Sequence, residues 1–255
     1  MNKKKVYILE DRGVLFVQGK DAKEFLQNLI TNDIDKVNES NSCFASLLTP
    51  QGKYLFDFFM VAQGDRILID CDGEQAAALS GRLMMYKLRA DVTIEPLDLY
   101  VHRGNDLLPV DGYADPRHAA LGWRAYREQP AQETPDWTAL NIANLVPETG
   151  AELVSGEGYI LEMNFEALNG IDFRKGCYVG QEIMARMKHK TELRKGLARV
   201  TVDGETSFGD EITSGGKVIG KLLTRAGDQA LAYLRFDRVK ADIQTTGATL
   251  SLIKE

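Results

Sequence analysis

The sequence contains very little of what metal centres and disulfide frameworks are built from. It has three cysteines and three histidines in 255 residues. Cys43, Cys71 and Cys177 are widely separated and form no C-x-x-C pair, so neither a disulfide framework nor a structural zinc site is expected. A four-thiolate iron–sulfur cluster also needs more cysteines than this chain supplies. We therefore expect no stably bound metal.

Long apolar runs and a recognisable targeting segment are also lacking. The longest apolar runs fall far short of the roughly 20 residues that span a bilayer. The first ten residues are neither an apolar signal-peptide core nor an Arg- and Ser-rich import leader. These absences lead us to expect a cytoplasmic protein that does not contact membranes.

The chain has fewer basic residues (31 Lys and Arg) than acidic ones (37 Asp and Glu), and its formal net charge is −6. A general nucleic-acid-binding protein has a surplus of positive charge, so no such binding is expected. The densest basic stretch, residues 188–195, is typical of a solvated face or of a connection between domains.

The pattern of apolar residues and turn signals predicts an α+β fold for the first part of the chain. Asp21 and Glu24 are spaced like a capping box ahead of the first helix. The β-α-β-β-β-α-β order indicates antiparallel strands with helices on one face, and no G-x-G-x-x-G sequence supports a dinucleotide-binding fold. Strands are predicted at 13–18, 43–49, 54–62, 66–70 and 91–95, and helices at 21–30 and 74–90.

After residue 195 the sequence changes to short strand candidates with turn signals between them. Their regular spacing predicts a small β-barrel or sandwich of about 60 residues. We expect an α+β region at 1–192, made of two parts at about 1–96 and 97–192, followed by a C-terminal barrel domain at 193–255. The strand candidates are 197–202, 211–213, 217–223, 230–236 and 249–253.

The most chemically demanding stretch surrounds Cys177. Arg174 and Lys175 place two cations next to this thiol. Gly176 and Gly180 permit positive φ or close approach to the backbone. Good helix formers follow Gly180, so the thiol is predicted to lie just ahead of a helix N-terminus, where nearby cations lower a cysteine pKa.

Two considerations oppose a reactive Cys177. Glu182 adds a negative charge that works against a lowered pKa. A single cysteine in a chain of this composition is also often a small buried apolar residue.

The octet from Lys175 to Glu182, K-G-C-Y-V-G-Q-E, resembles the signature of the YgfZ-type folate-binding proteins. These proteins are relatives of the glycine-cleavage T-protein, an aminomethyltransferase, and they include a mitochondrial iron–sulfur assembly factor. Further segments resemble the family in the expected order, so the resemblance covers nearly the whole chain. They are residues 19–33, 48–58, 86–89, 147–148 and 162–164.

The resemblance implies a T-protein-like two-part α+β region around a central folate-binding cleft, with a small C-terminal β-barrel. It implies tetrahydrofolate as the cofactor and a role in maturing or repairing iron–sulfur enzymes. The implied partners are iron–sulfur client enzymes or cluster carrier proteins. For the octet, it makes Cys177 the reactive residue, shaped by Lys175, Gly176, Tyr178, Gly180, Gln181 and Glu182.

The resemblance leaves several roles open for the thiol. Cys177 could ligate iron or a cluster edge transiently, attack a persulfide, or form a mixed disulfide with a client. Another hypothesis is that the protein is a folate-binding scaffold in which the octet only closes the cleft. Tyr178 would then stack on the pterin ring, whereas its simpler fate is a buried core tyrosine.

The sequence departs from the aminomethyltransferases at two places. Their adjacent acidic residues in the central hairpin are reduced here to Asp57, and their R-x-E-x-G segment is replaced by residues 141–145. Glycine-cleavage activity is therefore not expected. An alternative function is another folate-dependent one-carbon transfer, with Asp57 as general base or as the carboxylate that orients folate. Alternation along the strand slightly favours an Asp57 that faces solvent.

Overall fold

A computed structural model describes residues 7–9, 12–130, 136–190, 193–240 and 242–253. None of the described helices is both long and apolar enough to cross a membrane. Within these ranges the elements are β1 (Tyr7–Leu9), β2 (Arg12–Gln18), α1 (Ala22–Gln27), β3 (Cys43–Leu48), β4 (Tyr54–Gln63), β5 (Arg66–Asp72), α2 (Ala76–Lys87), β6 (Thr93–Pro96), β7 (Tyr100–Gly104), β8 (Tyr113–Ala114), β9 (Trp123–Arg127), α3 (Thr138–Ala143), α4 (Gln181–Lys190), β10 (Lys195–Gly204), β11 (Glu211–Ser214), β12 (Lys217–Ala226), β13 (Gln229–Arg235), β14 (Ile243–Gln244) and β15 (Ala248–Leu252).

The first part of the chain is built on a five-stranded antiparallel sheet with the order β3-β4-β5-β2-β6. Successive side chains of a strand point to opposite faces. Leu15 and Val17 of β2 accordingly join a core with Phe25 of α1 and Leu79 and Leu83 of α2. Both helices therefore cover one face of the sheet, as the α+β pattern predicts.

The opposite face of this sheet is covered by a second, four-stranded sheet with the order β1-β7-β9-β8. Val14 and Phe16 of β2 pack there against Val101 of β7, and Tyr126 of β9 lies against the same cluster. The first sheet is thus buried on both faces. Any polar side chain that it directs toward the second sheet lies in the protein interior.

The C-terminal strands form a closed barrel with the order β10-β13-β12-β11-β14-β15. Val200, Leu222, Leu234 and Leu250 fill its interior. The sequence left barrel and sandwich open, and the structure is a barrel. β14 was not predicted, because a strand of two residues carries no readable alternation. Residues 191–192 lie outside the described ranges, so the division at 192 and 193 stays a prediction.

The predicted capping box at α1 is wrong. Asp21 occupies the N-cap position but makes no side-chain capping hydrogen bond. Its carboxylate instead accepts a hydrogen bond of 2.8 Å from the backbone N–H of Asp91. The reason is tertiary, since the chain entering β6 passes so close that a Cβ on Gly19 would lie 2.1 Å from the Asp91 carbonyl oxygen.

Candidate functional site

The octet lies on the loop that leads into α4, packed against the turn between β3 and β4. Gly180 has a φ of +85°, and a Cβ there would lie 2.7 Å from the carbonyl oxygen of Thr49. Gly52, in the turn, has a φ of +74°, and its Cβ would lie 2.9 Å from the Cβ of Ile183. Both glycines therefore permit a backbone approach that a side chain would block. Gly176 has open space around its Cβ position.

Lys175 and Arg174, the two cations next to the thiol in sequence, bind other groups in the structure. Lys175 is buried, and its Nζ donates hydrogen bonds of 2.6 Å to the carbonyl oxygens of Gln27 and Ile30. Burial lowers the pKa of Lys175 to about 8. Arg174 is exposed, and its Nε lies 3.4 Å from Asp172 Oδ1. Lys175 therefore fastens the octet loop to the end of α1.

Cys177 is the accessible thiol of the chain. It is exposed, whereas Cys43 and Cys71 are buried. Burial raises the pKa of each of these two thiols to about 12. Because the thiolate is the nucleophile and the metal ligand, the two buried cysteines are inert at neutral pH. The alternative of a buried apolar Cys177 is wrong.

The other octet residues are divided between core and surface. Tyr178 is buried in the cluster that contains Leu48 and Met184, which is the simpler of its two predicted fates. Gln181 is half-buried and Glu182 exposed in the first turn of α4. No octet residue lines either of the two cavities described below.

A polar cavity of about 120 Å³ lies between the two sheets, and we call it the central cavity. Asp57 of β4 lines it and is buried. Asp57 Oδ1 accepts hydrogen bonds from the hydroxyl of Tyr54, at 2.7 Å, and from that of Thr149. The predicted solvent-facing Asp57 is therefore wrong, because alternation shows which residues share a face but not that the second sheet covers that face.

Four arginines line the central cavity: Arg12, Arg103, Arg117 and Arg124. Two fully buried aspartates pair with them. Asp70 accepts from Arg12 Nε at 2.7 Å and from Arg124 Nη1 at 2.8 Å. Asp115 accepts from both Nε and Nη2 of Arg117. Burial alone would raise the pKa of Asp115, but the neighbouring arginines lower it to about 2.

Arg103 is the least satisfied of these arginines. It is 3% exposed, and its Nε and Nη2 have no hydrogen-bond partner among the described residues. Its guanidinium lies 3.8 Å from the ring centroid of Trp137. Burial and the charges of Arg124 and Arg117 lower the pKa of Arg103 to about 8. The cavity thus presents unused donors between flat walls.

Sequence reasoning missed this arginine cluster. Arg12 lies at the start of β2, Arg103 and Arg124 lie within β7 and β9, and Arg117 lies on the loop after β8. The available signal was weak: Arg103 and Arg124 are charged residues within short strands. Only their shared position between the two sheets makes them a cluster.

A second cavity of about 380 Å³ lies between the β3–β4 turn and the barrel. Lys53, Lys195 and Lys221 line it together with Tyr159 and Tyr233. Lys53 Nζ lies 3.7 Å from the ring centroid of Tyr159. No predicted site residue belongs to this cavity. Among the described residues, no group of three or more His, Cys, Asp or Glu side chains is placed to hold a metal ion, and the absence of a bound metal stays a prediction.

Comparison with known proteins connects this architecture to a family. The fold matches the crystal structure of glycine cleavage system aminomethyltransferase T from Bartonella henselae, with a TM-score of 0.77 over 98% of this chain and 85% of that one, at 13% identity. Residues 194–255 match the family described as CAF17, C-terminal beta-barrel domain. The chain therefore shares the fold of this aminomethyltransferase. The α+β region with its terminal barrel is thereby confirmed.

Two sequence relatives are named as iron–sulfur cluster assembly factors of mitochondria. The IBA57 homolog of Neurospora crassa is 33% identical over 225 residues, which cover 73% of this chain. IBA57 of Mus musculus is 28% identical over 291 residues, which cover 96% of this chain. The chain spans 51% of the length of the first and 81% of the second.

The relatives also correct one prediction. A cytoplasmic location was expected by default, and it is wrong, because these relatives are mitochondrial proteins. Composition and the lack of long apolar runs do not specify a compartment.

Proposed function

We propose that this protein is a tetrahydrofolate-binding factor that acts in the assembly or repair of iron–sulfur enzymes, with Cys177 as its reactive thiol. Relatives that cover up to 96% of the chain are named iron–sulfur cluster assembly factors. The resemblance of the octet to the YgfZ-type folate-binding proteins supports folate as the ligand class. The likeness to the aminomethyltransferase, at 13% identity, concerns the fold and not the activity.

The observation that carries the thiol role is the contrast among the three cysteines. Cys177 alone is exposed, and it lies in the octet. One thiolate cannot hold a cluster by itself. A client enzyme or a carrier protein would therefore supply the remaining ligands during a transient contact. The same accessible thiol could attack the outer sulfur of a persulfide, which would release the donor as a thiol. It could also attack a client disulfide, which would form a mixed disulfide and release one client thiol.

The central cavity suits one end of a folate molecule. Asp57 offers a carboxylate and Arg103 offers unused N–H donors, in a cavity that Phe59 and Trp137 also line. Pockets that enclose a drug-sized ligand measure about 300–1,000 Å³, whereas this cavity measures about 120 Å³. The rest of the folate would therefore extend out of the cavity. Bound tetrahydrofolate would supply a carrier for one-carbon units.

The test of the thiol role is Cys177→Ala in cells that lack the endogenous protein. We expect loss of activity in iron–sulfur client enzymes, with folate binding unchanged because Cys177 does not line the central cavity. Cys71→Ala is the matched control: it removes an inert thiol and should restore client activity when the two variants are equally abundant. Full rescue by Cys177→Ala would exclude the thiol role and leave folate binding unaffected.

A second candidate, folate-dependent one-carbon transfer, is favoured by the burial of Asp57 at the central cavity. A buried carboxylate beside a bound ligand can act as a general base or orient the ligand. Asp57→Asn keeps the shape and removes the charge. We expect it to abolish turnover of a one-carbon substrate, and normal turnover would exclude this candidate.

A further inference from the structure

We propose that the central cavity binds a carboxylate group of its ligand and that Arg103 is the residue that recognises it. The proposal concerns the same cavity as the suggested folate site. It rests on that suggestion only for the identity of the ligand and not for the ligand's charge.

The first argument is the set of unused donors on Arg103. Its Nε and Nη2 have no hydrogen-bond partner among the described residues. These two nitrogens form one edge of the guanidinium group, the fork that binds a carboxylate through two parallel hydrogen bonds. Asp115 Oδ2 lies 4.0 Å from Nη2, beyond hydrogen-bond range, and Glu148 lines the same cavity. Buried charged donors without acceptors cost free energy, so an acceptor from a ligand would stabilise the site.

The second argument is that the two buried aspartates near Arg103 are already hydrogen-bonded to other arginines. Asp115 is hydrogen-bonded to Arg117 through both of its oxygens. Asp70 is hydrogen-bonded to Arg12 and Arg124. The two aspartates thus hydrogen-bond to the other three arginines and not to the fork of Arg103. Glu148, which also lines the cavity, accepts a hydrogen bond from Asn141 Nδ2.

The third argument is the shape of the cavity around the fork. The Arg103 guanidinium lies 3.8 Å from the ring centroid of Trp137, and the Arg124 guanidinium lies 3.6 Å from that of Phe59. Arg124 Nε is a third buried donor without a hydrogen-bond partner among the described residues. The aromatic contacts help to hold both guanidinium groups in place. A volume of about 120 Å³ admits a carboxylate with a small or flat body.

Two sources could supply such a carboxylate: the glutamate end of folate, or a free small carboxylate. The full chain would be titrated calorimetrically with p-aminobenzoyl-glutamate, with succinate, with 6-methyltetrahydropterin, which has no carboxylate, and with tetrahydrofolate. We expect at least one of the two carboxylate probes to bind. Binding of p-aminobenzoyl-glutamate alone assigns the site to folate, and binding of succinate assigns it to a free carboxylate.

The decisive variant is Arg103→Met, which keeps much of the side-chain volume and removes the fork. We expect it to weaken carboxylate binding at least tenfold and to change 6-methyltetrahydropterin binding less than twofold. Arg127→Met is the matched control, because Arg127 lies on the same sheet, pairs with Asp111 and does not line the cavity. It should change every affinity less than twofold.

Arg103→Lys covers the case in which the methionine variant does not fold. Lysine keeps the positive charge but lacks the planar fork, so we expect carboxylate binding to weaken several-fold. Wild-type affinity in the lysine variant, or no binding of either carboxylate probe to the wild type, would overturn the proposal. Binding of tetrahydrofolate without binding of either carboxylate probe would overturn only this inference. Binding of a carboxylate probe without binding of tetrahydrofolate would overturn only the folate proposal.

Discussion

Lys175 illustrates how a charged residue of the octet can serve the fold. Its buried ammonium donates to two main-chain carbonyl oxygens, those of Gln27 and Ile30, at the end of α1. Carbonyl groups at a helix C-terminus lack intrahelical partners and attract positive charge. Lys175 therefore satisfies these acceptors and holds the loop that presents Cys177.

The substitution Lys175→Met tests this role of Lys175. The apolar part of the side chain is kept, while the carbonyl groups of Gln27 and Ile30 lose their donor. We expect the free energy of unfolding to fall by about 1–3 kcal/mol, measured by urea denaturation. Arg174→Met is the matched control, since its side chain is exposed, and it should change stability by less than about 0.5 kcal/mol. Equal effects of the two variants would contradict the structural role.

At the scale of elements, the contact between the octet loop and the β3–β4 turn depends on a pair of glycines. Gly180 and Gly52 both have positive φ, and each would clash if it carried a Cβ. The two segments are distant in sequence, yet the family resemblance includes both. Their packing gives a physical reason for the glycines at these positions.

Gly180→Ala tests this contact. A Cβ would meet the Thr49 carbonyl oxygen at 2.7 Å, and the φ of +85° is unfavourable for alanine. We expect a loss of about 2–5 kcal/mol in the free energy of unfolding from overpacking and backbone strain together. Gly150→Ala isolates the strain, because Gly150 has a φ of +83° and nothing within 4 Å of its Cβ position.

The Gly150→Ala control should lower the free energy of unfolding by only about 1–2 kcal/mol. Thermal and urea unfolding of both variants would give the comparison. If the two substitutions cost the same, close packing between loop and turn is not the reason for glycine at position 180.

At the scale of the whole molecule, the barrel is joined to the α+β region by apolar and polar contacts. Leu231 of β13 is 1% exposed and packs with Ile142 and Leu145 on the α+β side. The hydroxyl of Tyr233 donates to Glu162 at 2.7 Å across the same junction. These contacts couple the barrel to the segment that precedes the octet.

Leu231→Ala should weaken this junction by about 2–5 kcal/mol. Both tryptophans lie in the α+β region, so their fluorescence reports its unfolding, while far-UV circular dichroism also reports the barrel. We expect the two signals to separate in Leu231→Ala. Leu250→Ala is the comparison variant, because Leu250 lies inside the barrel. Coincident transitions at the wild-type midpoint in Leu231→Ala would show that the junction contributes little.

The sequence by itself determined the strands of the five-stranded sheet, the two helices that cover it and the strand-rich C-terminal region. It also made the octet the conspicuous motif. These features depend on local information, namely the period-2 alternation of apolar residues, glycine turn signals and the residues adjacent to Cys177. The capping box at Asp21 failed for the converse reason, since a strand distant in sequence provided its carboxylate with a different donor.

Only the tertiary structure decided that Asp57 is buried, that Lys175 binds main-chain carbonyls and that the arginines meet at one cavity. Each of these facts arises from contacts between segments far apart in the chain. Alternation shows which residues share a face of a strand, but it does not show what covers that face. The four arginines line one cavity only because the second sheet packs on the first.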